Sequence, residues 1–368
     1  MLKRPTVTTA SKRIMICPLN WGIGHATRCI PIIQHLAELG HEVILAADGA
    51  SFDLLRQEFP TLEHIRFPGI HIRYSASDSQ LMSIVLQTPS LLSSLKHENR
   101  FIIQKARDLR IDAIISDNRY GAYHKNLPSV LISHQLNLAL PEKVKWAEPL
   151  IQNMIHRLIN RFDQCWVPDF ETNPRLSGRL SNQNGIKIPI RYIGMLSRFL
   201  SSVNDAHLQA TKDHFVLAVV SGPEPQRSLF EQSIIKHFTE SGCPLKLLRG
   251  LPDVTTIINC APNIQIYNYL KGWEMHDLFL NADHIICRSG YSTLMDLMAT
   301  GREAFLVPTP GQPEQEYLAN HLKNLNWFAS CNQSEFGGKY PYSHKEYKPP
   351  LIASHFPLRE FLRQWSDE

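Results

Sequence analysis

No run of about 18 apolar residues occurs in this 368-residue chain, so no segment reads as a membrane-spanning helix. Cysteine is unpaired in sequence: the seven, at 17, 29, 165, 243, 260, 287 and 331, never form a Cys-x-x-Cys, and Cys17 and Cys287 sit inside apolar runs. That distribution argues against a structural zinc and suits a reducing compartment. Also missing are a His-Glu-x-x-His pair, a P-loop lysine, a Gly-x-Ser-x-Gly elbow and an Asp-x-Asp metal motif. Zinc peptidases, P-loop nucleotidases and α/β-hydrolases are thereby disfavoured. Basic runs interleaved with aromatics are lacking too, so nucleic acid is not an expected partner. Met1 to Arg13 is basic and polar without an apolar h-region. Residues 1–12 are therefore expected to be a flexible tail and not a signal peptide, and the location cytoplasmic.

What is present is a hydrophobic fraction of 43%, enough for a sizeable core in two domains. The formal charge of +4 is unevenly placed. Residues 1–200 carry 24 Lys and Arg against 16 Asp and Glu, net +8, and residues 201–368 carry 14 against 18, net −4. A basic first half suits peripheral contact with an anionic surface, a phospholipid or a lipid pyrophosphate, at the inner face of a membrane. It suits scattered solvated lysines nearly as well.

Strand-like and helix-like segments alternate throughout, which predicts parallel sheets with crossover helices. Strands are expected at 13–19, 42–47, 111–116, 129–133 and 164–167, with a helix from Gly24 to Leu39 stopped by Gly40. A second set is expected at 215–220, 245–248, 264–266, 284–287 and 304–307. The fold class is α/β: two Rossmann-like doubly wound domains, residues 13–200 and 215–350, joined by a polar linker at 201–214. They face each other across a cleft between the carboxyl ends of both sheets. Leu81 to Leu95, broken by Pro89, reads as a core-covering helix pair or as an amphipathic patch. The stretch from Gly337 to Pro350 is expected to be loop, and residues 351–368 to end in a short helix on Leu358, Phe361, Leu362 and Trp365.

Three strand-to-helix turns carry the chemistry. Asn20 to Arg28 follows the first strand, and its Gly-x-Gly-His spacing fits a nicotinamide or flavin site poorly. It sets His25 beside Gly24 at a helix start facing the expected cleft, where a neutral imidazole can take a proton from a hydroxyl or a water. Asp117 and His134, each just past a strand end, are candidates to orient His25 or bind an acceptor; capping and loop hydrogen bonding are the plainer roles. In the second half, Ser221-Gly222 followed by Arg227, and Arg288 followed by Ser289-Gly290-Tyr291-Ser292-Thr293, read as phosphate-type turns. Such turns aim free N–H groups and the positive end of a helix at an anion. Gly290 leaves room for phosphate oxygens, Ser292 and Thr293 can cap the helix or donate to a ligand, and Asp296 can reach a ribose hydroxyl.

The loop Gly22 to Arg28, the run Arg288 to Thr293 and the run Pro310 to Gln315 together resemble the GT-B glycosyltransferases of family 28, the group of the N-acetylglucosaminyltransferase that makes lipid II. The likeness covers most of the chain and is strongest over 13–48 and 264–322. It implies a C-terminal UDP-sugar domain, with Ser221, Gly222 and Arg288 to Thr293 at the pyrophosphate. Asp296 stands where the family has a ribose-binding Glu, Gln312, Glu314 and Gln315 match the run that contacts the donor sugar, and the backbone at Tyr269 and Leu270 faces uracil. The second glycine loop, Ser-Gly-Pro-Glu-Pro-Gln-Arg, is less glycine-rich than the family's. The first is also similar to that of nucleotide-sugar hydrolases of nonulosonic acid biosynthesis.

The resemblance implies inverting transfer of a hexose or N-acetylhexosamine from a UDP-sugar to a hydroxyl acceptor, a glycan or a lipid-linked precursor, without metal or other cofactor. His25 is the expected base, aided by Asp117 or His134, with Arg288 or Arg227 at the leaving group. Hydrolysis by a water activated at His25, UDP-sugar 2-epimerisation, and an inactive nucleotide-sugar-binding protein are the alternatives.

Overall fold

The computed structural model describes residues 11–69, 88–140, 142–200, 214–251, 257–339, 347–350 and 357–368. The first sheet holds Arg13–Pro18 (β1), Glu42–Ala47 (β2), Glu63–Arg66 (β3), Ala113–Asp117 (β4), Ser129–Ile132 (β5), Gln164–Val167 (β6) and Ile190–Tyr192 (β7). Its order is β3-β2-β1-β4-β5-β6-β7, all parallel. Helices Gly24–Glu38 (α1), Gly49–Glu58 (α2), Thr88–Asp108 (α3) and Glu148–Ile159 (α4) accompany it.

The second sheet repeats the plan with Val216–Val219 (β8), Leu245–Leu248 (β9), Ile257–Ala261 (β10), Ile264–Tyr267 (β11), His284–Cys287 (β12), Phe305–Leu306 (β13) and Ala329–Ser330 (β14). Its order is β10-β11-β9-β8-β12-β13-β14, with only β10 antiparallel among the described strands. Its helices are Gln226–Ser241 (α5), Gly272–Asn281 (α6), Tyr291–Thr300 (α7), Pro313–Asn324 (α8) and Phe336–Lys339 (α9), and Leu358–Asp367 (α10) follows. Strand order reverses beside β1 and again beside β8, and ligands of open α/β sheets sit outside the carboxyl ends of strands at such switch points.

The central strands are legible because both faces are covered. Ile14, Met15, Ile16 and Cys17 of β1 are all buried, giving the continuous apolar run of an internal parallel strand. α1 buries Cys29, Ile30, Ile32, Ile33 and Leu36 and stops at Gly40, whose φ of +88° suits glycine. Every expected strand is present to within a residue or two; β3, β7, β10 and β14 are additional.

One expectation near the carboxyl end is corrected. Phe336–Lys339 is a helical turn and not loop, because Phe336 is buried edge-on to Phe230 at 5.6 Å between ring centroids. The last helix returns to the first half: α10 lies on α1, and its Phe361 and Trp365 stand edge-on to Trp166 at 5.0 and 5.1 Å. One apolar cluster therefore joins residues of both halves, among them Ile33, Trp166, Leu294 and Trp365. Residues 201–213 of the expected linker, 81–87 of the Leu81 to Leu95 segment, and 340–346 lie outside the described residues.

Candidate active site

The three acid–base candidates meet. α1 carries His25 and, one turn on, Arg28 to the end of β4, where Asp117 is fully buried, and His134 follows β5 by two residues. Arg28 forks onto Asp117, Nε to Oδ2 and Nη2 to Oδ1, the bidentate geometry a guanidinium favours. Its Nη1 lies 3.1 Å from His134 Nδ1 and its Nη2 3.0 Å from His25 Nδ1. His25 Nδ1 is 2.7 Å from Asp117 Oδ1. His134 Nε2 is 2.7 Å from Oε1 of Glu314, which lies in the first turn of α8 and so comes from the second half of the chain.

Charge and valence place the protons. Burial alone would raise Asp117, but the Arg28 guanidinium, with His25 beside it, holds its carboxyl down to about 2. An ionised carboxylate only accepts and a guanidinium only donates, so a protonated His25 Nδ1 donates to Asp117 and an unprotonated one accepts from Arg28, and in either case Nε2 is the nitrogen turned away from this cluster. A guanidinium only donates, so His134 Nδ1 accepts from Arg28 and Nε2–H donates to Glu314. Burial pushes His134 down, which favours this neutral form. Both nitrogens of His134 are thereby occupied, whereas His25 retains Nε2 and keeps 14% of its side chain exposed. Arg28 was not among the expected site residues. Its signal is its position three residues after His25, which places both on one face of a helix.

The start of α7 lies against this group. Ser292 Oγ donates to the Gly24 carbonyl at 2.7 Å. A Cβ on Gly24 would stand 2.9 Å from that hydroxyl, so glycine is what allows the two turns to touch. Ser292 and Thr293 do not cap the helix: its N-cap is Gly290, with no side-chain cap, and no described atom lies within 4 Å of where a Gly290 side chain would begin. A helix end so left is suited to an anion. Tyr291 turns inward, its ring stacked on His134 at 3.7 Å and its hydroxyl donating to Pro168 O at 2.8 Å. Ser289 Oγ donates to Gln315 O at 2.8 Å.

In the turn after β8, Ser221 is half-buried and Gly222 has a φ of +115°. Thr309 Oγ1 lies 3.4 Å from where a Gly222 Cβ would be, and it is buried with no hydrogen-bond partner among the described residues. Gln315 Oε1 accepts from Thr309 N at 2.9 Å, and Gln315 Nε2 donates to Gln312 Oε1 at 2.5 Å. The amides of the Pro-Gly-Gln-Pro-Glu-Gln run thus hold one another beside α7.

Several residues expected at a ligand are engaged within the fold. Arg288 is fully buried over the Phe230 ring and donates to Val307 O, Pro308 O, Gln226 O and Gln333 Oε1. Burial lowers it to about 9, and its terminal nitrogens reach loop carbonyls. Arg227 pairs with Glu224 and Glu231. Asp296 is buried and accepts from Ser197 Oγ at 2.6 Å, with Arg198 Nε at 3.7 Å. It ties α7 to the segment after β7, and burial raises it to about 6. Tyr269 is buried, its hydroxyl donating to Glu58 Oε1 of α2 at 2.6 Å, and the next residue, Leu270, is half-buried.

Residues 13–154 match the glycosyl transferase family 1 model and residues 228–336 the glycosyltransferase family 28 C-terminal domain. An uncharacterized glycosyltransferase of Methanosarcina mazei is 22% identical over 323 residues, covering 83% of this chain and 81% of the relative. The chain is a family 28-like GT-B glycosyltransferase. The glycosyltransferase is also similar, at 27% identity over 115 residues, to the UDP-N-acetylglucosamine--N-acetylmuramyl-(pentapeptide) pyrophosphoryl-undecaprenol N-acetylglucosamine transferase of Haemophilus ducreyi, covering 31% of this chain and 30% of that one. Its fold matches the crystal structure of the glycosyltransferase SnogD from Streptomyces nogalater with a TM-score of 0.57 at 16% identity, over 98% of this chain and 96% of that one. Among its described residues, no helix is long and apolar enough to cross a membrane.

Proposed function

We propose that the enzyme transfers a hexose or N-acetylhexosamine from a UDP-sugar to a hydroxyl acceptor with inversion and without a metal, His25 acting as the base. The observation that carries this reading is the His25–Asp117 pair, whose buried, ionised carboxylate leaves Nε2 of His25 as the available nitrogen. In the reaction the acceptor oxygen forms a bond to the anomeric carbon while the bond from that carbon to the β-phosphate oxygen breaks. The acceptor proton goes to His25 Nε2 and the electron pair leaves with UDP; one displacement inverts the centre. The uncapped start of α7, with the Ser221-Gly222 turn and the Thr309 hydroxyl, stabilises the leaving pyrophosphate. Arg288 and Arg227 are not assigned to it, since Arg288 donates to loop carbonyls and Arg227 pairs with Glu224 and Glu231.

In this reading residues 13–200 present the acceptor and residues 215–350 hold the donor. A uridine donor is supported by the match to the family 28 C-terminal domain and by the name of the Haemophilus ducreyi relative, which also suggests a lipid-linked acceptor. The test is a panel of UDP-sugars with and without hydroxyl acceptors, in EDTA, with UDP release and product analysed by mass spectrometry. Acceptor-dependent UDP release that persists in EDTA is the expected result. Stoichiometric free sugar without acceptor would make water the acceptor and the enzyme a hydrolase, and no UDP release from any donor would refute the reading.

A further inference from the structure

The two most exposed large apolar side chains among the described residues sit four positions apart. Trp146, in the helical turn Glu142–Ala147, is 82% exposed, and Leu150, in the first turn of α4, is 74% exposed. The opposite side of α4 is ordinary core: Ile155, Leu158 and Ile159 are buried with Leu131 of β5 and Cys165 of β6. In steps of three and four from Trp146, the outward stripe reads Trp146, Leu150, Asn153 and Arg157, every one exposed. Lys145, beside Trp146, is exposed as well, whereas Glu148, the single carboxylate of α4, lies off the stripe and is half-buried. The stripe is thus an apolar centre with a cation at each end. It is also tied to the site. Gln152 donates from Nε2 to Leu136 O at 2.5 Å and accepts on Oε1 from Leu138 N at 3.2 Å, which fastens α4 to the segment that follows His134.

We propose that the Trp146–Leu150 face is a docking surface for an anionic lipid bilayer. Trp146 and Leu150 enter the boundary between headgroups and acyl chains, and Lys145 and Arg157 meet lipid phosphates. An exposed indole, apolar with one N–H, suits the headgroup level. The flanking cations and the net +8 of residues 1–200 complement a negative surface. A second copy of the chain fits less well, because lysine is depleted from protein–protein interfaces. One Trp and one Leu also fall well short of the roughly 800 Å² that each partner contributes to a stable interface. The surface itself is independent of the reaction; its use, in bringing a lipid-linked acceptor to the segment that holds His134, rests on the reading under Proposed function.

The experiment needs no sugar donor. Full-length protein is sedimented with vesicles of phosphatidylcholine alone, and with vesicles of phosphatidylcholine and phosphatidylglycerol in equal parts. Binding to the mixed vesicles should be about tenfold or more tighter and should weaken with added salt. Trp146→Ser with Leu150→Ser should lower that binding about tenfold or more. Lys145→Gln with Arg157→Gln should lower it about 20-fold, about fivefold for each charge. All four substitutions are at exposed positions, so both variants should keep the wild-type melting temperature. Trp146→Phe should still bind while losing the part of the tryptophan fluorescence that brominated acyl chains quench. Absence of binding to the mixed vesicles, equal binding to both kinds, or binding unchanged in the Trp146→Ser, Leu150→Ser variant would overturn the proposal. So would a dimer in solution that the same variant dissociates, which would make a second copy the occupant. Failure of every donor in the UDP-sugar panel would instead refute the proposed reaction and leave the vesicle result standing.

Discussion

Replacing Asp117 with Asn keeps the shape of the cluster and removes its central charge, so its effect on stability can be worked out before any substrate is known. Each tenfold change in proton affinity is about 1.4 kcal/mol. Holding the carboxyl at about 2 against its ordinary 3.8 therefore contributes about 2 kcal/mol at neutral pH, with no discount for solvent because the residue is fully buried. Seen from Arg28, the same substitution leaves a 1% exposed guanidinium without its carboxylate, a change that costs about 3–5 kcal/mol where it has been measured. These are two views of one interaction and are not summed; a loss of about 3 kcal/mol at pH 7 is expected. A depressed carboxyl contributes stability that is fully present above its ordinary value and lost as the pH falls toward its folded one. The gap between wild type and Asp117→Asn should accordingly shrink by about 1 kcal/mol at pH 3. Urea denaturation followed by tryptophan fluorescence at the two pH values measures it. Coincident midpoints at pH 7, or a gap that widens in acid, would refute the assignment of Asp117 as an ionised partner of Arg28.

Gly24→Ala brings a methyl group to 2.9 Å from Ser292 Oγ and should lower the melting temperature, with Ser292→Ala in the same chain restoring part of the loss. Trp365→Ala strips α10 of its ring against Trp166 and should cost about 3–5 kcal/mol in denaturant unfolding. Burial raises Glu98 to about 7 from its ordinary 4.5, so folding takes up a proton and stability falls as pH rises from 5 to 8; Glu98→Gln should flatten that part of the stability–pH curve.

The sheet centres are legible because strands such as β1 and β8 are buried on both faces and read as unbroken apolar runs. It was silent on β3, whose Glu63-His64-Ile65-Arg66 is half polar, and on β14, which is two residues long: edge strands bury too little to leave a pattern. At the site, His25, Asp117 and His134 were legible as ends of strands and starts of helices, but which one keeps a free nitrogen depends on Arg28 and Glu314, and those contacts span 106 and 180 residues. The burial of Arg288 and Asp296 was not legible in the sequence. Arg288 opens the turn before α7 and Asp296 lies inside that helix, and Arg288 is drawn inward by the carbonyls of residues 226, 307 and 308, and Asp296 by the hydroxyl of Ser197.

The central claim is that His25 takes the acceptor proton. The most direct measurement compares wild type and His25→Gln in UDP release from a donor turned over by wild type, with UDP affinity measured by calorimetry on both. General-base catalysis contributes about 10²–10⁴-fold, so the account predicts a loss of turnover in that range with UDP affinity within about twofold of wild type. Turnover by His25→Gln within a few-fold of wild type would contradict it.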